Sequence, residues 1–102
     1  MIEIPAGNKE FRLFHFARLD GRGQLTTGET IQSATVVATH AATGEAVAGL
    51  VSQVAPYDST AVRYFVDPGA ANLTPRTRID LTFTVATSNG QTLTDTLPIA
   101  IM

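Results

Sequence analysis

Arg78-Ile79-Asp80-Leu81-Thr82-Phe83-Thr84-Val85-Ala86-Thr87-Ser88-Asn89-Gly90-Gln91-Thr92-Leu93-Thr94-Asp95-Thr96-Leu97-Pro98-Ile99-Ala100-Ile101 reads as two strands joined by a turn. In the first, Ile79, Leu81, Phe83 and Val85 alternate with Asp80, Thr82, Thr84 and Ala86; in the second, Leu93, Leu97, Ile99 and Ile101 hold odd positions. A period of two is that of a strand with one face buried. A two-residue turn at Asn89-Gly90 would set odd against even, placing apolar side chains opposite polar ones. A three-residue loop of Ser88, Asn89 and Gly90, with Gly90 in the left-handed conformation as a bulge residue, instead pairs Val85 with Leu93, Leu81 with Leu97 and Ile79 with Ile99. That register is the one expected. Its misfit is Asp95 opposite Phe83, which implies a local bulge, a rim position or an interface. Pro98 offers no N–H to a ladder, so the last strand lies at a sheet edge or Pro98 at a non-bonded position.

Working outward, the same β-branched texture covers the chain, with fifteen threonines and eight valines favouring pleated, half-buried surfaces. Further strands are expected at Phe11–Arg18, Thr30–His40, Ala46–Val54 and Ala61–Val66, with a short one at Ile2–Ile4. Turn signals separate them at Gly21-Arg22-Gly23, Thr43-Gly44, Pro56-Tyr57-Asp58 and Asp67-Pro68-Gly69. No helix longer than a turn is expected. Closely spaced strands without helices between them predict an antiparallel sandwich or barrel.

Phe11-Arg12-Leu13-Phe14-His15-Phe16-Ala17 is apolar on both faces. Such a strand is central between layers, or its outer face is covered by something else, including another subunit. The within-chain reading has Phe11, Leu13 and Ala17 supply the core while Phe14 and Phe16 lie under a loop. Residues 1–10, with Pro5, Gly7 and Asn8, read as an N-terminal arm, and residues 11–102 as the folded domain.

A chain of 102 residues suffices for one domain and not for two. With 44% apolar and 16% charged residues it has the composition of a globular protein rather than a disordered tail. A net charge of −2 and a single lysine, Lys9, leave no cationic footprint for nucleic acid or anionic lipid. The absence of cysteine excludes a disulfide, a thiolate metal site and a cysteine nucleophile. The apolar runs fall far short of the ~18 residues of a membrane helix, and the first residues do not form a signal peptide.

Chemistry-bearing patterns are absent. His15 and His40 have no metal-ligand spacing, and Ser33, Ser52, Ser59 and Ser88 stand outside any nucleophile-elbow setting. Asp20, Asp58 and Asp67 occupy turn positions where a carboxylate accepts backbone hydrogen bonds. Gly21 and Gly23 precede neither a Lys-Ser/Thr pair nor a helix, so they make no phosphate loop. No catalytic residue, metal or cofactor is therefore expected. Arginine and tyrosine are enriched at protein interfaces, which makes Arg63, Tyr64, Arg76 and Arg78 candidate contacts; Ile2 and Ile4 of the arm and Phe14 and Phe16 of the two-faced strand complete the candidate interface.

Two stretches resemble a family. Leu25-Thr26-Thr27-Gly28-Glu29-Thr30-Ile31-Gln32-Ser33-Ala34-Thr35-Val36, followed by the hairpin from Arg78 to Thr92, resembles small immunoglobulin-like virion proteins of tailed bacteriophages. There a Gly-Glu/Asp-Thr-Ile opening leads into the first long strand and a Thr-rich Ser-x-Gly hairpin closes the domain. The resemblance implies an all-β, immunoglobulin-like antiparallel sandwich of about seven strands without a disulfide. It further implies a non-enzymatic structural protein, an adaptor or decoration between repeated tail, fibre or neck parts. Its partners would be other virion proteins or further copies in a homo-oligomer or ring, and its location the virion, assembled in the host cytoplasm. Where that family has a tryptophan on the first long strand, this chain has Val36 or Val37. The alternative is a surface- or carbohydrate-binding sandwich module, for which the lack of tryptophan leaves Tyr57 and Tyr64 as the tyrosine platforms.

Overall fold

A computed structural model describes residues 2–16, 30–57 and 60–102. Ala17 and Arg18, Asp20, the Gly21-Arg22-Gly23 turn, the Leu25-to-Glu29 part of the family-like stretch, Asp58 and Ser59 lie outside them. The described residues form seven strands and no helix: β1 (Ile2–Ile4), β2 (Glu10–His15), β3 (Ile31–His40), β4 (Val51–Tyr57), β5 (Ala61–Val66), β6 (Thr77–Thr87) and β7 (Thr92–Ile101). They make two sheets, β1-β7-β6-β3 and β2-β5-β4. This is the strand order of an immunoglobulin-like sandwich whose first strand has moved to the sheet of its last. All pairings are antiparallel except β1 with β7, which run parallel.

The β6–β7 hairpin has the expected register: Val85 opposite Leu93, Leu81 opposite Leu97, Ile79 opposite Ile99. Its turn is the three-residue loop, with the Gly90 N–H donating to the Thr87 carbonyl, the Thr87 N–H donating to the Gln91 carbonyl, and Gly90 at φ 79°. Counting alternately from the bonded Thr87–Gln91 pair puts Asp80–Pro98 in a non-bonded pair, so Pro98 costs the β6 ladder nothing. Asp95 is opposite Phe83 without a bulge; it is half-buried and accepts a hydrogen bond from the Thr96 N–H at 2.9 Å.

The short strand expected at Ile2–Ile4 forms and ties the N-terminal arm to the sandwich: it lies beside Ile99 to Ile101, Ile4 is fully buried, and the Ile4 carbonyl receives the Met102 N–H. Two other expectations are corrected. The expected strand over residues 46–54 is divided between the sheets. Ala46 and Val47 bond to the outer edge of β3, and the chain then crosses at Gly49 (φ 85°) to start β4 at Val51. β2 is inverted relative to expectation: Phe14 and the following Phe16 face the core, whereas Phe11 and Leu13 face out.

The core lies between the sheets and is aromatic at its centre. Phe83 stacks on Phe14 with centroids 4.3 Å apart and receives the edge of Tyr64 at 5.2 Å, while Phe16 meets Phe14 edge-on at 5.3 Å. Ile79, Leu81, Val85, Ile99 and Ile101 extend it along β6 and β7, with Val62 and Val66 facing them from β5. Aromatic pairs contribute about 0.5–1.5 kcal/mol beyond their buried area, and this cluster ties β2 and β5 of one sheet to β6 of the other in a core that has no disulfide.

Candidate functional site

The inversion of β2 is what creates a surface. β2 pairs with β5 so that Phe11 is opposite Phe65 and Leu13 opposite Arg63, and all four project outward from the three-stranded sheet. On the other side of β5, Ser52 of β4 pairs with Phe65 and Ala55 with Arg63, with a register shift between them at Gln53, which has φ 52°. After that shift β4 brings Tyr57 opposite Ala61 and into the same patch. Phe11 is 48% exposed, Tyr57 43% and Leu13 41%, a concentration of large apolar side chains that a sheet facing water does not need.

The patch is ordered by its own contacts. The Phe65 ring meets Phe11 edge-on at 4.9 Å, and the Arg63 guanidinium lies over Phe11, 4.8 Å from the ring centroid. Phe11, Arg12, Leu13, Tyr57 and Arg63 surround a shallow depression of about 260 Å³. A cation held on an aromatic face is partly fixed before any partner arrives, so less side-chain freedom is lost on binding. The arrangement suits a partner surface that is apolar and bears a carboxylate opposite Arg63.

Beneath it, Glu10 and Arg12 occupy the inward-facing positions of β2 nearest its start. They form an ion pair at 2.7 Å and remain half-exposed, which makes their inward orientation tolerable. Tyr64, between them and the core, is fully buried, and its hydroxyl has no hydrogen-bond partner among the described residues. Burial pushes the Tyr64 phenol above its ordinary value of 10.0, opposed by Arg12 and reinforced by Glu10.

The candidate interface residues separate accordingly. Ile4, Phe16 and Tyr64 are core residues and offer no surface, since each is at most 2% exposed. Phe14 is half-buried against Phe83, and Ile2 is half-buried in β1. Arg63 stands in the outer patch. Arg76 and Arg78 are exposed at the other end of β6, where Arg76 takes a left-handed backbone (φ 72°) and its N–H donates to the Ile101 carbonyl. They border a depression of about 520 Å³ shared with His40, Ala41, Ala42, Thr43 and Thr77. Among the described residues no group of three or more His, Asp or Glu side chains could hold a metal ion.

Phe11, Leu13 and Phe65 are not marked as surface contacts by the sequence, and Tyr57 is marked only as a tyrosine platform of the alternative reading. The signal was present in Glu10-x-Arg12, whose charges alternate with Phe11 and Leu13, yet deciding which set faces water requires knowing the strand beside it. Comparison with protein-family models, with curated proteins and with solved structures finds no match to this chain.

Proposed function

We propose that this chain is a non-catalytic assembly protein, a small immunoglobulin-like structural protein of a tailed-bacteriophage virion that serves as an adaptor or decoration between repeated tail, fibre or neck parts. The observation that carries an assembly role is the outward apolar face of β2-β5-β4, where Phe11, Leu13 and Tyr57 surround the ring-bound Arg63. The virion assignment draws support from the family-like residues, of which Thr30 to Val36 lead into and form the start of β3 and Arg78 to Thr92 build the β6–β7 hairpin. A sugar-binding role is less well served: Phe11 already has Phe65 at its side and Arg63 on its face, whereas carbohydrate stacking needs an open ring.

The partner is another virion protein presenting apolar side chains and a carboxylate. The test is to purify particles carrying a tagged copy of the chain and label them for electron microscopy, beside a Phe11→Asp/Leu13→Asp variant. Labelled particles with the parent chain and unlabelled ones with the folded variant are expected. Particles devoid of the parent chain would overturn the virion assignment, and equal incorporation of the variant would overturn the role of the face.

A further inference from the structure

β2 is an edge strand: it pairs with β5 on one side, while β1 belongs to the other sheet, beside β7. The Phe16 N–H donates to the Thr60 carbonyl, so by alternation Phe14, Arg12 and Glu10 bond to β5, and Phe11, Leu13 and His15 direct their N–H and C=O groups outward. The far side of β5 agrees: the Asp67 N–H donates to the Leu50 carbonyl, which turns the odd positions toward β4 and leaves Val62, Tyr64 and Val66 for β2. Among the described residues, no backbone group is bonded to the outward side of Phe11, Leu13 or His15.

Natural sheets close such edges with proline, bulges, lysine or inward charges. β4, the opposite edge of the same sheet, has two of these devices, Pro56 and the register shift at Gln53. β2 has no proline, lysine or register shift. Its inward charges, Glu10 and Arg12, neutralise each other at 2.7 Å near the start of the strand and leave Leu13 to His15 unguarded. The side chains that border this edge on the outer face are Phe11 and Leu13, so the open backbone and the apolar patch are continuous.

We propose that the partner binds by strand addition: an extended segment of it pairs with the free edge of β2, and its alternate side chains, apolar with one Glu or Asp among them, lie beside Phe11 and Leu13. This rests on the outer face of β2-β5-β4 being the partner-binding face, and it specifies the form of what binds there. The carboxylate follows from Arg63, which reaches from β5 over the Phe11 ring of β2 and has no carboxylate partner among the described residues. Its guanidinium is then one strand away from the added segment, within reach of a glutamate. The long edge strands of a second copy do not supply that group: β3 and β4 contain no Asp or Glu, and Glu10 of β2 faces inward, paired with Arg12. The occupant is therefore a different protein. Main-chain bonds at Phe11, Leu13 and His15 give affinity that depends little on its sequence, while the side chains of Phe11, Leu13 and Arg63 give the preference.

The probe is a fluorescein-labelled peptide, Val-Thr-Val-Thr-Glu-Thr-Val, whose valines and glutamate share one face of a strand. Amide hydrogen exchange of the full chain is followed by NMR. In the free chain the amides of Phe11, Leu13 and His15 are expected to exchange at least about tenfold faster than those of Arg12 and Phe14, which bond to β5, and the peptide is expected to remove that difference. Fluorescence anisotropy is expected to show binding that weakens at least about tenfold when the peptide valines are N-methylated, which keeps every side chain and removes the edge donors. Binding should also weaken when the peptide glutamate is replaced by glutamine, and equal binding there would overturn the carboxylate. Binding absent up to ~1 mM peptide, equal binding of the N-methylated peptide, or outward amides left unprotected in the complex would overturn strand addition. Particle labelling decides the assembly role separately. A chain lost from particles only as Phe11→Asp/Leu13→Asp, with its outward amides unmoved by the peptide, would refute strand addition and keep the face. Protected amides in a chain absent from particles would do the reverse.

Discussion

Replacing Gly90 with valine tests the loop that sets the register of the longest hairpin. Gly90 has φ 79°, and a Cβ built on it meets nothing within 4 Å, so the cost of a side chain there is purely conformational. The left-handed region costs an ordinary L residue roughly 1–2 kcal/mol and a β-branched one more. Stiffening the unfolded chain returns about 0.4–1 kcal/mol. The net expectation for Gly90→Val is a loss of more than ~1 kcal/mol, whereas Gly90→Asn, whose side chain tolerates this region, should cost about half as much or less. Gly49 supplies the contrast: its φ is 85°, and a Cβ there would lie 3.3 Å from the Ala70 carbonyl oxygen. Gly49→Ala should therefore cost more than Gly90→Ala, since it adds a backbone contact to the same strain. Urea unfolding with unchanged m-values reads each difference, and about 1 kcal/mol corresponds to roughly 4–8 °C in Tm for a domain near this size. A neutral Gly90→Val would refute the bulge reasoning, and a Gly49→Ala milder than Gly90→Ala would refute the steric part.

Phe83→Ala removes the ring shared by Phe14 and Tyr64 and should cost about 3–5 kcal/mol, measured by the same unfolding curves. Phe11→Ser/Leu13→Ser, on exposed positions, should cost no more than about 1 kcal/mol in unfolding while removing partner binding in pull-down from particle components. Because the Tyr64 phenol is raised above 10.0 in the folded chain, the unfolded chain ionises first as pH rises. Stability is then fully present below pH 10 and falls above it, at up to about 1.4 kcal/mol per pH unit for one proton. Tyr64→Phe should remove that dependence in alkaline unfolding titrations and cost little at neutral pH, since the hydroxyl it deletes has no partner among the described residues.

The features legible in the sequence are those where alternation and turn chemistry agree. β6 carries apolar residues at odd positions from Ile79 to Val85 and β7 from Leu93 to Ile101 apart from Asp95, and with the Ser-Asn-Gly loop these leave one register that keeps the apolar faces together. β5 spans Ala61–Val66 as expected because Asp67-Pro68-Gly69 stops it. β2 was illegible for the opposite reason: Phe11 and Leu13 are as apolar as Phe14 and Phe16, so hydrophobicity does not choose a face. The choice is made by β5, whose Val62, Tyr64 and Val66 commit the even positions inward and take the even positions of β2 with them. β1 is three residues long and owes its place to β7 rather than to local preference. Tyrosine is common at interfaces, yet in this chain the Tyr64 ring completes the core beside Phe83. Of the candidate interface, Arg63 stands in the outer patch, and strand pairing rather than local sequence brings the rings of Phe11 and Phe65 beside it.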